Sequence, residues 1–284
     1  MSITVIINCH NSEKYIDETA LSLSSQSYKT FKVLFIDNHS TDNSFLKFKS
    51  NSNFEIKYIK TPKFVSLYDA RNYSLSFLDT EITCFLDADD MWSPDYLQKV
   101  YNIHKENPNI ISLQARTFSY QEPNKFKEIT KIVRKKEMIE LNDFAKMPFT
   151  ALGGLSIKSS FFNGYRFPNS SNFIGDLDLV LNLARKKQLY FFNDADFFYR
   201  IHPGGLTSKN LDGWKFELEN WLYKKQTLLP ELLFKKLSSD LKYITLRILI
   251  KKLNLLNFLK EVFISDIGFF LKLKLLIRRL INMQ

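Results

Sequence analysis

Three apolar runs, residues 3–8, 31–36 and 82–86, are rich in Ile, Val and Phe and carry almost no polar interruption. Runs of this kind read as strands covered on both faces, since a strand with one wet face would alternate. Residues 54–59 and 110–115 read as two further strands. Helical stretches fall between them. Asn11-Ser12-Glu13 supplies a helix start before Tyr15, Ile16, Thr19, Leu21 and Leu23, and a short helix ends near Lys49. A helix is expected over 67–78 and another over 94–107, the latter with Pro94 in its first turn. This strand–helix alternation over the first ~115 residues predicts an α/β fold, a Rossmann-like and mostly parallel sheet with right-handed crossovers and helices on its faces.

The pattern loosens afterwards. Residues 121–136 are polar and basic and read as an exposed hairpin or loop. Residues 150–155 are small, and their Gly153-Gly154 pair lets a substrate approach the backbone closely. A helix is expected over 178–186, a short strand over 190–193, a loop over 199–207, and helix from about Trp214 to the end. The expected organisation is a body over 1–212, in halves 1–115 and 116–212, followed by a helical extension over 213–284.

The length of 284 residues suits one large domain or a domain with an appendage, and 45% hydrophobic content allows a full core. The two cysteines, Cys9 and Cys84, fall in predicted strands and imply no disulfide framework, which suits a reducing cytosol. The chain enters its first strand without a basic region or cleavage site, so no signal peptide is expected. No uncharged apolar run approaches the ~18 residues of a spanning helix.

The net charge of +10 is unevenly placed. Residues 222–284 hold thirteen Lys or Arg against four Asp or Glu, which leaves the body close to neutral. A nucleic-acid binder would carry its charge around a working groove and would show a recognised motif, so nucleic acid is not an expected partner. Within the tail, 241–259 and 263–281 interleave Leu, Ile and Phe with Lys251, Lys252, Lys272, Lys274, Arg278 and Arg279. Basic apolar helices of this type suit the surface of an anionic membrane. The other reading is an appendage packed on the body or on a second subunit, a homo-oligomer included.

The densest chemistry lies at the end of the fourth strand, in Asp87-Ala88-Asp89-Asp90. Three carboxylates within four residues repel one another unless water or a cation neutralises them. Oxygen donors at that density suit Mg²⁺ or Mn²⁺. Ligands of open α/β sheets sit beyond the carboxyl ends of the strands, where this cluster falls. The alternative is a solvated turn in which Asp90 caps the helix beginning near Pro94.

Further polar motifs follow a fixed order: Asn8-Cys9-His10-Asn11, then Phe35-Ile36-Asp37-Asn38-His39-Ser40-Thr41-Asp42, Ala70-Arg71-Asn72, the Asp cluster, Ile174-Gly175-Asp176-Leu177-Asp178-Leu179, and Tyr199-Arg200-Ile201-His202. As an ordered set over roughly residues 2–210 they resemble the inverting glycosyltransferases of family 2, which have the A-type glycosyltransferase fold. The resemblance implies a metal-dependent transfer of a hexose from a nucleotide sugar, a UDP-sugar above all. The implied acceptor is a hydroxyl of a glycan or lipid-linked molecule, in cell-surface polysaccharide or lipooligosaccharide synthesis. The implied location is the cytoplasm, with peripheral attachment to the inner membrane through the tail.

By resemblance, His10 takes the place of an aromatic that stacks on uracil, with Asn11 beside it. Asp37 accepts the imide N–H of the base, and Arg71 meets the diphosphate through its planar donor fork. Asp89 ligates Mn²⁺ or Mg²⁺ directly, Asp87 contacts the ribose or a metal-bound water, and His202 adds a further ligand or a diphosphate contact. Asp176 is the general base. The chain departs from the family pattern at His10, where the family has Tyr, and at Gly175, where it has Glu. These departures bear on nucleotide identity and on the acceptor side, and they keep open a second reading, a non-catalytic nucleotide- or sugar-binding subunit of a glycosyltransferase complex.

Overall fold

The computed structural model of the chain describes residues 1–121, 125–128, 137–145 and 151–251. The chain divides into two compact units, Met1–His202 and Pro203–Gln284. In the first, strands β1 (Ile3–Cys9), β2 (Phe31–Asp37), β3 (Glu55–Lys60) and β4 (Ile82–Phe85) are followed by the short β5 (Met91–Trp92). Then come β6 (Ser112–Gln121), β7 (Lys125–Glu128), β8 (Glu137–Met138), β9 (Leu155–Lys158) and β10 (Leu189–Arg200). They form one sheet in the order β3-β2-β1-β4-β9-β6-β10-β5, with β7 beside β6 and β8 beside β10.

Strand β1 runs parallel to β2 on one side (Ile3↔Phe31 to Cys9↔Asp37) and to β4 on the other (Ile3↔Ile82 to Ile6↔Phe85). The chain therefore winds outward from β1 through β2 and β3, then returns to the far side of β1. That reversal opens a crevice beyond the carboxyl ends of β1 and β4, the place where open α/β sheets bind ligands. His10 and the Asp cluster follow these two ends directly. The central strands are apolar throughout because both faces are covered. Ile3, Val5 and Ile7 meet Ile16, Ala20 and Leu23 of α1 (Ile16–Ser24) and Leu97 and Val100 of α4 (Tyr96–Glu106). On the opposite face, the Phe85 ring stands edge-on to Phe162 and Phe167. The edge strand β3, Glu-Ile-Lys-Tyr-Ile-Lys, is mostly exposed, and its charged side chains guard an open edge.

Helices α2 (Ser44–Ser50), α3 (Leu67–Ser74) and α5 (Gly175–Arg185) complete the unit. The start of α3 matters most. The Ser66 hydroxyl accepts the Asp69 N–H at 3.2 Å and donates to Asp69 Oδ2 at 2.7 Å. Two more N–H groups at this end find partners far along the chain: Leu67 donates to Asn172 Oδ1 at 2.8 Å and Tyr68 to the Ser171 carbonyl at 3.1 Å. Satisfying the orphan donors of a helix start thus ties the 170–172 segment, and with it the start of α5, to α3.

Two strands run longer than their apolar patterns predict. The strand expected over 110–115 continues as β6 to Gln121, and the one expected over 190–193 continues as β10 to Arg200, pairing in parallel with a bulge between Phe192 and Asp196. Apolar periodicity misses the extension of β6 because Thr117 and Ser119 are polar yet buried within the sheet, and that of β10 because the polar stretch Asn193-Asp194-Ala195-Asp196 interrupts the apolar run at the bulge. The loop expected over 199–207 accordingly begins after Arg200. Helix α5 starts at Gly175 rather than at 178. In the expected 121–136 hairpin, 125–128 form β7 against β6, while 122–124 and 129–136 lie outside the described residues, as does 150.

The second unit contains α6 (Leu206–Lys209), α7 (Leu211–Lys225) and α8 (Glu231–Lys251). Asn210 caps α7 by accepting the Gly213 N–H at 2.8 Å, and α7 packs on α8. Among the described residues no helix is long and apolar enough to cross a membrane. The basic stretch from 252 onward lies outside the described residues.

One buried titratable group gives the body a pH dependence. His104 on α4 is fully buried, with Nε2 3.3 Å from Ser156 Oγ on β9. Burial, helped by the positive charge of Lys158, pushes its pKa down to about 4. Its unfolded value is about 6.5, so between about pH 6.5 and 4 the unfolded chain binds the extra proton and stability falls as pH falls. The His104→Gln variant lacks this term. Between about pH 7 and pH 5 it should lose about 2 kcal/mol less stability than the parent in urea unfolding. Parallel losses in the two proteins would contradict the assignment.

Candidate active site

The end of β4 turns sharply after Leu86 and presents Asp87, Asp89 and Asp90 in three different environments. Asp90 is almost fully buried. Its Oδ1 accepts the Arg200 backbone N–H at 2.8 Å, its carbonyl accepts the Thr19 hydroxyl at 2.9 Å, and its Oδ2 has no hydrogen-bond partner. Burial first, then the charges of Asp89 and Asp87, raise its pKa well above the carboxylate range. It does not cap the next helix; Asp95 precedes α4 instead. Asp89 is partly exposed, and its Oδ2 lies 2.9 Å from His202 Nε2. Asp87 accepts Arg71 Nη2 at 2.5 Å and keeps 36% of its side-chain surface open. Its pKa is raised by desolvation, opposed by Arg71, and raised further by Asp89 and Asp176.

Arg200 holds the cluster from behind. Its Nε donates to the Asp89 carbonyl at 2.8 Å and its Nη2 meets Glu18 Oε2 at 2.8 Å. Its guanidinium lies 4.8 Å from the ring centroids of both Tyr15 and Tyr120. The His202 ring stands edge-on to Tyr15 at 4.5 Å. The end of β10 therefore aims His202 at Asp89. Sequence reasoning singled out His202 but gave Arg200 no role, since its partners at 15, 18, 89 and 120 are far away along the chain.

Arg71 is the other buried cation, at 1% exposure. It is no surface arginine: Nη2 binds Asp87 and Nη1 binds Asp176 Oδ1 at 3.1 Å, and the guanidinium lies 4.8 Å from the centroid of the Tyr68 ring. Burial opposes its charge, but Asp87, Tyr68 and Asp176 hold its pKa above the ordinary arginine value. The neighbouring Asn72 pins the approach to α5, donating to the Phe167 carbonyl at 3.0 Å and accepting its N–H at 2.9 Å. Asp176 sits in the first turn of α5, where the helix dipole favours an anion. Its Oδ1 accepts the Tyr68 hydroxyl as well as Arg71, and its Oδ2 accepts the Leu152 N–H at 3.2 Å.

The β1 end forms a separate part of the cleft. His10 Nδ1 lies 2.8 Å from the Asn38 carbonyl, and its ring is 4.7 Å from that of Phe64, which is 60% exposed. Phe64 escaped sequence reasoning because it sits in a loop after an edge strand; Asn38 holds that loop by bonding both the N–H and the carbonyl of Val65. Asn11 adopts a left-handed φ of 51° and its side-chain oxygen accepts the Thr41 N–H at 2.8 Å, so it shapes the turn. Asp37 is 5% exposed; Oδ1 accepts the Ser40 N–H at 2.7 Å and Oδ2 the Tyr58 hydroxyl at 2.8 Å. Burial and Asp37 push the Tyr58 pKa up to about 12. The fold thus brings Arg71, Asp87 and Asp176 into one linked group, pairs Asp89 with His202, and gathers His10, Asn11 and Asp37 at the end of β1.

Among the described residues no group of three or more His, Cys, Asp or Glu side chains is placed to hold a metal ion by itself. The Asp89–His202 pair offers one hard oxygen and one imidazole. Such a set fits a cation that fills its remaining positions with water and substrate oxygens, the usual habit of ions that accompany diphosphates.

Residues 4–174 match the family model described as "Glycosyl transferase family 2". An uncharacterised glycosyltransferase of Haemophilus influenzae is 26% identical over 234 residues, which cover 80% of this chain and 89% of the relative. Glycosyltransferase GlyA of Streptococcus pneumoniae is 24% identical over 245 residues, covering 81% of this chain but 35% of that protein. Among solved structures, S. aureus TarS in complex with UDP-GlcNAc superposes with a TM-score of 0.62 at 18% identity, covering 78% of this chain and 67% of that one. The chain belongs to glycosyltransferase family 2 and has the A-type glycosyltransferase fold.

Proposed function

We propose that this family 2 glycosyltransferase is a metal-dependent, inverting hexosyltransferase. It takes a hexose from a nucleotide sugar, in this reading a UDP-sugar, and delivers it to a hydroxyl of a glycan or lipid-linked acceptor in cell-surface polysaccharide or lipooligosaccharide synthesis. The observation that carries the reading is the double ion pair of Arg71. One buried guanidinium draws Asp87, from the strand end where the donor belongs, and Asp176, from the start of α5, into one group. A carboxylate of the acceptor side is thereby fixed within reach of the donor cleft.

In this reading the base stacks on the exposed His10 ring, which the exposed Phe64 ring backs at 4.7 Å. Asp37 retains lone pairs for an imide N–H beside its bonds to Ser40 and Tyr58. Asn11 contributes by holding the turn. Asp87 and Asp89 face the ribose and the diphosphate, and Asp89 with His202 would hold Mn²⁺ or Mg²⁺. When bound, the cation supplies charge neutralisation for the departing nucleoside diphosphate. Arg71 is enclosed by its two carboxylates, so it acts on the diphosphate side through Asp87 rather than as a free arm.

Asp176 is the general base. Its Oδ1 is taken by Tyr68 and Arg71, while Oδ2 carries the Leu152 N–H and keeps capacity for a proton. As the acceptor oxygen bonds the anomeric carbon, the bond from that carbon to the diphosphate oxygen breaks on the opposite face and the acceptor proton passes to Asp176. One displacement of this kind turns an α-linked donor into a β-linked product. Its rate depends on how the base is positioned.

Calorimetric titration of UDP with and without Mn²⁺ tests the donor site. Binding should require the metal and weaken at least about tenfold in Asp89→Ala. Metal-independent binding, or an unchanged affinity in the variant, would remove Asp89 from the site. The basic stretch beyond 251 is proposed to dock on an anionic membrane surface, with each Lys or Arg adding up to about 1 kcal/mol. Replacing Lys272, Lys274, Arg278 and Arg279 together by Gln should sharply reduce flotation with vesicles containing phosphatidylglycerol. Unchanged flotation would place the acceptor encounter elsewhere.

A further inference from the structure

The departure at Gly175 has a physical cause on the opposite side of the cleft. A Cβ on Gly175 would overlap the edge of the Tyr68 ring, 2.6 Å from Cγ and nearer still to two other ring atoms, where ordinary contact needs about 3.5 Å or more. Gly175 has no positive φ, so space and not backbone conformation demands glycine here. The ring that fills this space is fully buried at one end of α3. It is held there by the Tyr68 N–H bond to the Ser171 carbonyl at 3.1 Å and by packing on Phe167 at 5.2 Å.

The hydroxyl of that ring bonds Asp176 twice. It donates to Oδ1, and it accepts the backbone N–H of Asp176 at 3.0 Å, an orphan donor of the first turn of α5. Two such bonds fix both the helix start and the carboxylate rotamer. With Arg71 also on Oδ1, the second oxygen is left as the atom that faces incoming chemistry. Burial, then the negative charge of Asp176, keeps the phenol protonated far above neutral pH, so it remains a donor across the working range.

We infer that Tyr68 is a positioning residue for the base, and that Gly175 is glycine so that the Tyr68 ring can reach Asp176. A side chain at 175 and the ring at 68 compete for one volume, and this chain gives that volume to the phenol. The inference rests on the proposal that Asp176 is the general base.

The test uses the full chain and two readouts: UDP binding by calorimetry, and UDP release from whichever UDP-hexose turns over fastest, with water as acceptor. Tyr68→Phe removes the hydroxyl and keeps the ring. It should lower kcat about 10- to 100-fold while UDP affinity stays close to the parent's, and it should lower the melting temperature because the Asp176 N–H loses its acceptor. Gly175→Ala pushes the ring aside and should give a similar loss in kcat. The two losses should not add in the double variant, because both remove one interaction. A parent-like kcat in Tyr68→Phe, additive losses in the double variant, or an equal fall in UDP binding would overturn the inference. Asp176→Asn separates the two claims. If it abolishes release while Tyr68→Phe does not, the positioning role fails alone; if it leaves release intact, the base assignment fails first.

Discussion

The interaction on which the site depends is the buried guanidinium of Arg71 between Asp87 and Asp176. A fully desolvated arginine persists only with its charge and its donor fork matched, and a planar guanidinium does this well for two carboxylates at once. The surrounding structure is arranged to make that match available. The order β2-β1-β4 places the Asp cluster at the crevice. The capping bonds of α3 with 170–172 bring the start of α5 against it, and Asn72 closes the same seam at Phe167. Removing Asp87 or Asp176 would leave the buried Arg71 charge short of a partner, and breaking a buried pair costs about 3–5 kcal/mol.

The same economy explains the division of labour among three adjacent carboxylates. Asp90 is buried and its Oδ1 receives the backbone N–H of Arg200, so it supports the turn. Asp87 is tied to Arg71. Asp89 keeps its exposure and its imidazole neighbour, and under the proposed function it is the acid that meets the cation. Three like residues in four positions thus acquire three roles from burial and from what each oxygen touches.

Strands β1, β2 and β4 were legible because they are apolar on both faces, and the Asp cluster because carboxylates at a strand end have few quiet explanations. The lengths of β6 and β10 were not, since Thr117 and Ser119 of β6 are buried in the sheet without an apolar signature and the polar 193–196 stretch of β10 breaks its apolar run at the bulge. Arg71, Asp176 and His202 stood out through a resemblance in motif order; the pairing of Arg71 with Asp176 and of His202 with Asp89 did not. Tyr68 and Arg200 were invisible as site residues because the carboxylates they bond, Asp176 for Tyr68 and Glu18 for Arg200, lie more than a hundred residues away. The glycine at 175 was visible as a departure, and its reason lies in the ring of Tyr68. Sequence proximity displays the acids, and only the fold displays what orients them.

The central claim is a single displacement at the anomeric carbon with Asp176 as base. Its most direct test is the anomer first released when an α-linked UDP-hexose is turned over with water as acceptor, followed by proton NMR before mutarotation proceeds. The β-sugar should appear first. Initial release of the α-sugar would contradict the account, because it requires two displacements or a front-face route.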